Sequence, residues 1–371
     1  MNLPSSRLQA RWTWERWSYI AGLYLASIFA ALILSALLVW ATDGSWQDVF
    51  SAFIDGSLRN PGRWGLTIGY ATPLLLVALG TIVAVRGGLI NIGQEGQLYI
   101  GAAFCTYVVL RLSGPGPIVL IVALLAGATA GAIWAGIAAW LKYWRRVPEV
   151  LTTLLLVTVA AQLVGYGLKT TTLLLDRSPE HGNRNQISEQ LAPGVRLPRV
   201  EIFGNSFPLS AFVALVMAVG IAVWLSRTTG GFRLTILGQN ERLAQRVGIS
   251  APKYGTMALL ASGAFAGLAG AMMLTGGDFG NYRLAPGFSG FFGWEGLLVA
   301  LVARNHPLVA IPMAFVFGAL RTGGGFLSAT GVEREIANVT QALLVLALLV
   351  PAAVLYLQER RRQMATVEAR T

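Results

Sequence analysis

The sequence predicts an all-α polytopic membrane protein with about ten transmembrane helices. Only 12% of its 371 residues are charged, about half the share found in soluble domains. Hydrophobic residues make up 55% of the chain, and they gather into runs of about 20, the length that a helix needs to cross the hydrocarbon core. The single cysteine, Cys105, excludes an intrachain disulfide and a thiolate metal cluster.

Ten apolar segments approach or reach this length. In chain order they are residues 18–41, 65–85, 88–110, 117–141, 150–168, 207–226, 254–275, 288–303, 307–320 and 337–357. The eighth and ninth are short and close together, so a single broken or re-entrant hairpin is the alternative for that region. The first run is too long for a cleaved signal peptide, and no small-x-small cleavage site follows it, which favours a membrane anchor.

The spacing of these segments leaves no room for a soluble domain, so we expect one transmembrane domain at residues 18–357. A cytoplasmic or interfacial segment, 1–17, precedes it, and a cytoplasmic tail, 358–371, follows it. With the N-terminus inside, 17 of the 28 Lys and Arg residues fall on the inner side. Five of the other eleven lie in one long outer loop, 169–206, which we interpret as an extracytoplasmic cap or docking loop. Because basic residues favour the cytoplasmic side, both termini are predicted to be cytoplasmic.

The inner segment 227–253 carries the signals of a two-turn amphipathic helix. Asn240 is a good N-cap residue, Gly248 suits the left-handed position after a helix C-terminus, and Pro252 blocks continuation. The helix would carry an apolar stripe beside a basic one, formed by Leu243, Ala244 and Val247 and by Arg242 and Arg246. Such a helix either docks into a groove of a partner protein or rests on the lipid surface.

Glycine-rich stretches in two later spans receive different interpretations. Gly263, Gly267 and Gly270 are spaced so that a neighbouring helix can approach closely, which predicts helix packing. Gly323-Gly324-Gly325 follows the ninth span, and we expect a flexible turn there on the outer side.

Two motifs resemble those of a known family, and together they cover about residues 65–350. The more distinctive one is Arg86-Gly87-Gly88-Leu89-Ile90-Asn91-Ile92-Gly93-Gln94-Glu95-Gly96-Gln97-Leu98-Tyr99-Ile100-Gly101-Ala102. It is similar to the signature of ABC-transporter permeases of the branched-chain amino acid/ribose/nucleoside type. Within them it resembles the larger permease subunit of basic-membrane-protein-type nucleoside importers most. The second motif, Gly238-x-Asn240 followed by Ala244 and Gly248-Ile249, resembles the cytoplasmic coupling motif of such permeases.

The resemblance implies a type II ABC importer permease fold in a bacterial cytoplasmic (inner) membrane. The chain would be the permease subunit of an ATP-driven importer for nucleosides or a related ribosyl or sugar-like solute, and not itself an enzyme. The implied partners are a cytoplasmic ATP-binding subunit, an extracytoplasmic substrate-binding protein and a second permease subunit, either a smaller paralogue or a second copy. ATP coupling would involve Arg233, Gly238, Gln239, Asn240, Ala244, Gly248 and Ile249.

The chain contains no G-x-x-x-x-G-K-[ST] phosphate loop. ATP would therefore be bound by the partner ATPase subunits, and we expect neither a cofactor nor a metal in this chain. A membrane enzyme for lipid or polyprenyl substrates is disfavoured, because the sequence shows no cluster of acids or histidines at one membrane interface.

Two carboxylates, Glu95 and Glu295, fall inside the predicted spans, and ionisable groups at membrane depth are candidate functional residues. Their surroundings match as Gly-x-Glu-Gly-x-Leu, and the two spans run in opposite directions. This arrangement predicts an inverted repeat of spans two to five and seven to ten, which would place related sites near the midplane. Coincidence in a glycine-rich chain is the alternative.

Amide side chains flank Glu95, and amides both donate and accept hydrogen bonds, as a nucleoside or sugar requires. An indole ring beside Glu295 can stack on a base. The predicted substrate pathway therefore comprises Asn91, Gln94, Glu95, Gln97, Trp294 and Glu295. The alternative is that these groups bond between helices or cap broken helices without touching a solute. A proton-coupled secondary transporter that uses Glu95 and Glu295 is the second functional interpretation.

Overall fold

The computed structural model describes residues 14–40, 47, 51, 54–59, 62–176, 186–329 and parts of 339–358. Most of the predicted N-terminal segment and of the C-terminal tail lies outside the described residues. The chain divides into two compact units, one of residues 54–323 and one that combines residues 1–53 with 324–371.

Helices dominate the described residues. They are α1 (Trp14–Trp40), α2 (Arg63–Arg86), α3 (Gln94–Val109), α4 (Gly116–Arg145), α5 (Glu149–Lys169), α6 (Leu209–Arg227), α7 (Thr229–Gln239), α8 (Glu241–Arg246), α9 (Ala251–Gly276), α10 (Phe292–Val302) and α11 (Pro307–Ala329). Within the described ranges, six are long and apolar enough to cross a membrane: α2, α4, α5, α6, α9 and α11 over Pro307–Phe326. The prediction of a helical polytopic membrane protein is therefore confirmed.

The core of residues 54–323 is built around α2 and α9, which pack against each other. Helix α9 also packs against α3 and α4, while α10 packs against α2. Glycines permit the closest of these contacts: a Cβ at Gly263 would overlap the Gly131 carbonyl, and one at Gly267 would overlap the Gly127 carbonyl. The predicted close packing of the α9 glycines is thus confirmed, and α4 supplies the opposing glycines.

Two predicted spans begin later than expected because the chain is not helical where they were drawn. The span 88–110 begins as α3 only at Gln94, since Gly88 adopts φ 73° and the Leu89 N–H bonds back to the Ala84 carbonyl at 3.0 Å. The span 288–303 is reduced to α10. Hydrophobicity alone does not register these breaks, because Leu89, Ile90 and Ile92 in the first, and Phe288 and Phe291 in the second, keep the average apolar.

The ninth span is longer than expected, because α11 continues from Pro307 to Ala329. The turn predicted at Gly323-Gly324-Gly325 is wrong, since these residues are helical. In a membrane, helix formation satisfies backbone groups that no water can reach, which outweighs the weak helix propensity of glycine. Helices α10 and α11 are separate elements, joined by a turn in which Arg304 and Asn305 have φ of 53° and 54°.

Among the described residues, the two β-strands lie at the end of the outer loop 169–206, and the second continues to Pro208. Strand β1 (Arg199–Ile202) pairs antiparallel with β2 (Asn205–Pro208) around Phe203 and Gly204, both at positive φ as a tight hairpin requires. The loop is fastened to the segment 277–291: Ser188 and Leu284 exchange two hydrogen bonds of 2.9 Å, and the Leu191 N–H bonds to the Tyr282 carbonyl at 3.1 Å.

Replacing Gly267 by Ala should lower the free energy of unfolding by about 1–3 kcal/mol, because the new Cβ would overlap the Gly127 carbonyl and force α4 away from α9. The midpoint of thermal unfolding of the detergent-purified protein measures the effect. Gly220→Ala in α6 is the matched control, since nothing lies within 4 Å of its new Cβ. Equal midpoints for the two variants would contradict the prediction.

Candidate functional site

A reciprocal amide pair organises the break between α2 and α3. The Asn91 Nδ2 donates to Gln97 Oε1 at 2.8 Å and to Ser262 Oγ at 2.9 Å. Gln97 Nε2 donates back to Asn91 Oδ1 at 3.0 Å, and the same oxygen accepts the Gly93 N–H at 3.1 Å. Both amides are buried. The pair therefore fixes the break against α9, on which Ser262 lies.

Gln94, the first residue of α3, bonds to two other helices. Its Oε1 accepts from Thr81 Oγ1 of α2 at 2.7 Å, while its Nε2 donates to the Val77 carbonyl at 3.0 Å and to Ser262 Oγ of α9 at 3.2 Å. These contacts use both ends of the buried amide, so the start of α3 is tied to α2 and α9 together.

The Glu95 carboxylate caps the N-terminus of α10. Its Oε1 accepts the Phe291 N–H at 2.9 Å and its Oε2 accepts the Gly293 N–H at 2.7 Å, and the Ser289 side chain also donates to it. These are amides that a helix start leaves without a partner, and the helix dipole favours a negative charge there. A Cβ at Gly293 would overlap the Glu95 backbone, so the first turns of α3 and α10 touch directly.

Glu295 lies in the first turn of α10 and pairs with Arg321 of α11, with Nη1 3.1 Å from Oε2. Arg321 also donates to the Gly290 carbonyl, and its guanidinium carbon lies 3.8 Å from the centroid of the Phe292 ring. Sequence reasoning missed Arg321, because the ninth span was ended one residue before it. The available signal was the charge pattern: Arg321 is a single arginine in an apolar stretch, and the preceding span carries the single glutamate Glu295.

The structure thus brings Asn91, Gln94, Glu95 and Gln97 together with the start of α10. Trp294 is half-buried in the first turn of α10. The polar groups of the cluster form hydrogen bonds with one another and with backbone atoms. This agrees with the alternative interpretation, in which these residues cap helices and bond between them. A role of the six residues in binding a solute stays a prediction.

Two ion pairs fasten the outer loop to the segment that leads into α10. Arg283 Nη1 lies 2.7 Å from Asp176 Oδ2, and Arg199 Nη1 lies 2.8 Å from Asp278 Oδ1. Burial raises the pKa of the Asp278 carboxyl above its ordinary value, while the Arg199 guanidinium acts in the opposite direction. The loop 169–206 and the segment that leads into α10 therefore form one connected region.

The inner segment 227–253 forms two helices rather than one. The expected helix is α8, and its predicted signals are confirmed: Asn240 Oδ1 accepts the Leu243 N–H at 3.0 Å, and Gly248 adopts φ 79°. Helix α7 was not predicted, because its three glycines resemble a loop. The spacing of the buried Leu234 and Leu237, after the N-cap Thr228, could have indicated it.

Helix α7 contacts the break between α2 and α3. A Cβ at Gly238 would lie 2.7 Å from the Gly88 amide nitrogen and would overlap the Arg86 carbonyl. A Cβ at Gly87 would lie 2.9 Å from Leu234 Cδ1. Arg233 extends the contact to α9, since its Nη1 donates to the Tyr254 hydroxyl at 2.9 Å. The end of α7 is therefore pressed against the backbone that leads directly to Asn91 and Glu95.

Comparison with known proteins identifies the family. Residues 66–355 match the family described as the permease component of the branched-chain amino acid transport system. The chain belongs to this family. The resemblance seen in the two sequence motifs is thereby confirmed, and the protein is a multi-pass ABC permease of the cytoplasmic membrane.

Three relatives illustrate the range of the permease family. The glucose ABC transporter permease protein TsgB13 of Haloferax volcanii is 33% identical over 301 residues, which cover 77% of this chain and 76% of the relative. The guanosine ABC transporter permease protein NupP of Bacillus subtilis is 30% identical over 300 residues, 80% and 84% of the two chains. NupQ, a second guanosine permease of the same bacterium, is 29% identical over 287 residues, 74% and 85% of the two chains.

The family, the relatives and the helices together support three general statements. The relatives are transport permeases rather than enzymes, and nucleoside and sugar transport are both represented among them. An ABC permease implies a partner ATPase and a substrate-binding protein. The apolar helices α2, α4, α5, α6, α9 and α11 agree with a multi-pass permease.

Replacing Arg321 by Gln should destabilise the permease by about 1–3 kcal/mol, because it removes the guanidinium that pairs with the Glu295 carboxylate, whose side chain is only 15% exposed. The double variant Arg321→Gln/Glu295→Gln should recover a large part of this loss, since no unpaired charge remains. Unfolding midpoints of the single and double variants in detergent measure the difference. A double variant no more stable than Arg321→Gln would show that the ion pair is not what holds α10 to α11.

Proposed function

We propose that this permease is the membrane subunit of an ATP-driven importer that takes up a nucleoside, or a related ribosyl or sugar-like solute, by alternating access. The observation that carries the proposal is the contact of α7 with the break between α2 and α3. The guanosine and glucose permeases among its relatives support the solute class.

The exposed face of α8 suits a partner ATPase. Ala244 is fully buried and, together with Leu237 and Ile249, anchors the segment to the permease. Leu243 and Val247, which adjoin Ala244 on the predicted apolar stripe, are 51% and 60% exposed, and the exposed Arg242 and Arg246 lie on the face opposite Ala244. A buried inner face combined with an apolar and basic outer face is what a docking helix needs. In this proposal both termini and this segment are cytoplasmic.

A movement of α7 would reach the buried cluster through few bonds. Gly238 touches the backbone at Arg86 and Gly88, and the chain from there leads through Asn91 to Glu95. Glu95 in turn holds the first turn of α10. We therefore assign Arg233, Gly238, Gln239, Asn240, Ala244, Gly248 and Ile249 to ATPase coupling.

An inverted repeat would explain the arrangement of α3 and α10. Each is a short helix that follows a break, and each has its glutamate in the first turn. Helix α3 packs on α9, whereas α10 packs on α2, so each short helix contacts the long helix that precedes the other. Together with α1, α4, α5, α6, α11 and the last apolar segment, these four helices make up the proposed ten spans. The residues that line the proposed solute pathway at the repeat interface are Asn91, Gln94, Glu95, Gln97, Trp294 and Glu295.

The proposed assembly contains a second permease that is a smaller paralogue. Two relatives from one bacterium, NupP and NupQ, both carry the name of a guanosine ABC transporter permease protein, which supports such a pair. An external binding protein would deliver the solute to the outer region formed by the loop 169–206. A proton-coupled transporter is less well supported, because Glu95 and Glu295 are occupied by backbone amides and by Arg321.

The function is tested by uptake into proteoliposomes that hold the permease pair, the ATPase and the loaded binding protein. Uptake should require ATP, should persist with a proton uncoupler, and should fail after Leu243→Glu, which places a charge in the docking face. Gln245→Glu, which adds the same charge two residues further along α8, is the matched control. Uptake that stops with the uncoupler but continues without ATP would contradict the proposal. Calorimetry of the binding protein with nucleosides, sugars and amino acids tests the solute class.

Gly238→Ala should lower ATP-driven uptake about tenfold, because a Cβ that costs about 1–3 kcal/mol is placed between α7 and the break. The ATPase should still co-purify, since Gly238 lies on the inner side of the segment. Gly230→Ala is the control, because its new Cβ meets only the Trp224 ring at an ordinary 3.4 Å. Normal uptake in Gly238→Ala would remove this contact from the coupling route.

A further inference from the structure

A second site lies where three helices end on the side of the coupling segment. A partly open cavity of about 350 Å³ lies between the last turns of α2 and α6 and the first turn of α11. Arg86, Arg227 and His306 line it, one from each helix end. The uptake route proposed above uses neither this cavity nor Arg227 or His306.

The charge of this cavity is of one sign. Its lining contains two arginines and a histidine and no acidic residue. In the part of the chain that the structure describes, neither arginine pairs with a carboxylate; Arg86 donates one N–H to the Asn305 carbonyl at 3.3 Å. Because a guanidinium carries several N–H donors in a planar fork, Arg86 can still donate to a second acceptor. The site is therefore suited to an anion.

The apolar part of the lining shows which kind of anion. Val223 and Val219 lie one and two turns deeper along α6, and Leu308 lies in the first turn of α11. Their side chains are 52%, 47% and 45% exposed, so they form an apolar strip that leads from the basic end toward the middle of the spans. A free inorganic anion would contact only the basic end. A molecule with a phosphate at one end and an acyl chain at the other would contact both the basic end and the apolar strip.

We propose that this cavity binds an anionic phospholipid, whose headgroup phosphate is held by Arg86, Arg227 and His306 and whose acyl chain lies along Val219, Val223 and Leu308. Basic cavities between membrane helices at the headgroup level are typical sites for such lipids. The cavity lies next to the contact between α7 and the break. Arg86 immediately precedes the break contacted by α7, and Arg227 ends α6 two residues before α7 begins. One lipid would therefore join α2, α6 and α11 beside the coupling contact.

The test measures lipid binding to the purified full-length permease by native mass spectrometry. Dioleoyl phosphatidylglycerol is titrated against dioleoyl phosphatidylcholine, which has the same acyl chains but no net charge. The wild type should prefer phosphatidylglycerol, and Arg227→Gln should weaken that preference about fivefold, the effect expected for one basic residue at a membrane surface. Arg86→Gln/Arg227→Gln should weaken it about 25-fold if the two charges act additively.

Three controls separate this site from general surface charge and from misfolding. Arg146→Gln removes an exposed charge from the same side, outside the cavity, and should leave the preference unchanged. Arg86→Lys/Arg227→Lys keeps the charges and should keep most of the preference. Arg227→Gln alone changes an exposed side chain, so it remains informative if the double variant does not fold.

Four results would overturn the proposal. They are an equal affinity of the wild type for the two lipids, a loss in Arg146→Gln as large as in Arg227→Gln, displacement of the lipid by inorganic phosphate, and displacement by the ATPase subunit. The third result would assign the cavity to a free anion, and the fourth would assign it to a carboxylate of the partner protein.

Discussion

The centre of the permease depends on one interaction, the acceptance of the Phe291 and Gly293 amides by the Glu95 carboxylate. A helix that begins inside a membrane leaves its first N–H groups without water, and each costs free energy unless the protein supplies an acceptor. Glu95 supplies two, so α10 can begin at Phe292 rather than at a membrane surface. The same contact brings the backbone of α3 against Gly293, because a carboxylate side chain is short.

The remaining polar groups of the core follow the same rule. Asn91 and Gln97 bond to each other, Gln94 accepts from Thr81, and both Asn91 and Gln94 donate to Ser262. The break before α3 therefore leaves few of its polar side-chain groups without a partner. Short polar side chains reach across helices only where the helices are close. Gly80 of α2 and Gly270 of α9 permit that proximity, since a Cβ at Gly80 would lie 2.8 Å from the Ser262 carbonyl and one at Gly270 would overlap the Leu98 carbonyl.

Much of the fold could be predicted from sequence, since apolar runs report spans whose backbone is satisfied within each helix. The N-cap at Asn240 and the left-handed Gly248 were also predictable, because each depends only on residues next to it in the chain. The breaks before Gln94 and Phe292 were not, because they are stabilised by residues far away in the chain, such as Ser262 for Asn91 and Glu95 for Phe291. Arg321 was missed on similar grounds, as its meaning depends on Glu295.

The inner segment shows why a lipid-resting helix is an insufficient description of α7 and α8. A helix on a lipid surface directs its apolar residues outward and needs none beneath it. Here Leu234, Leu237 and Ala244 are buried against the permease, and Phe232, Leu243 and Val247 form a second, exposed apolar set. Because one face of the segment is already buried against the permease, the exposed set is left to contact a second surface, and in the proposed assembly that surface is the ATPase. In the proposed coupling route the contact at Gly238 is a direct one, because the backbone of α7 meets the backbone at Arg86 and Gly88 with no flexible side chain between them.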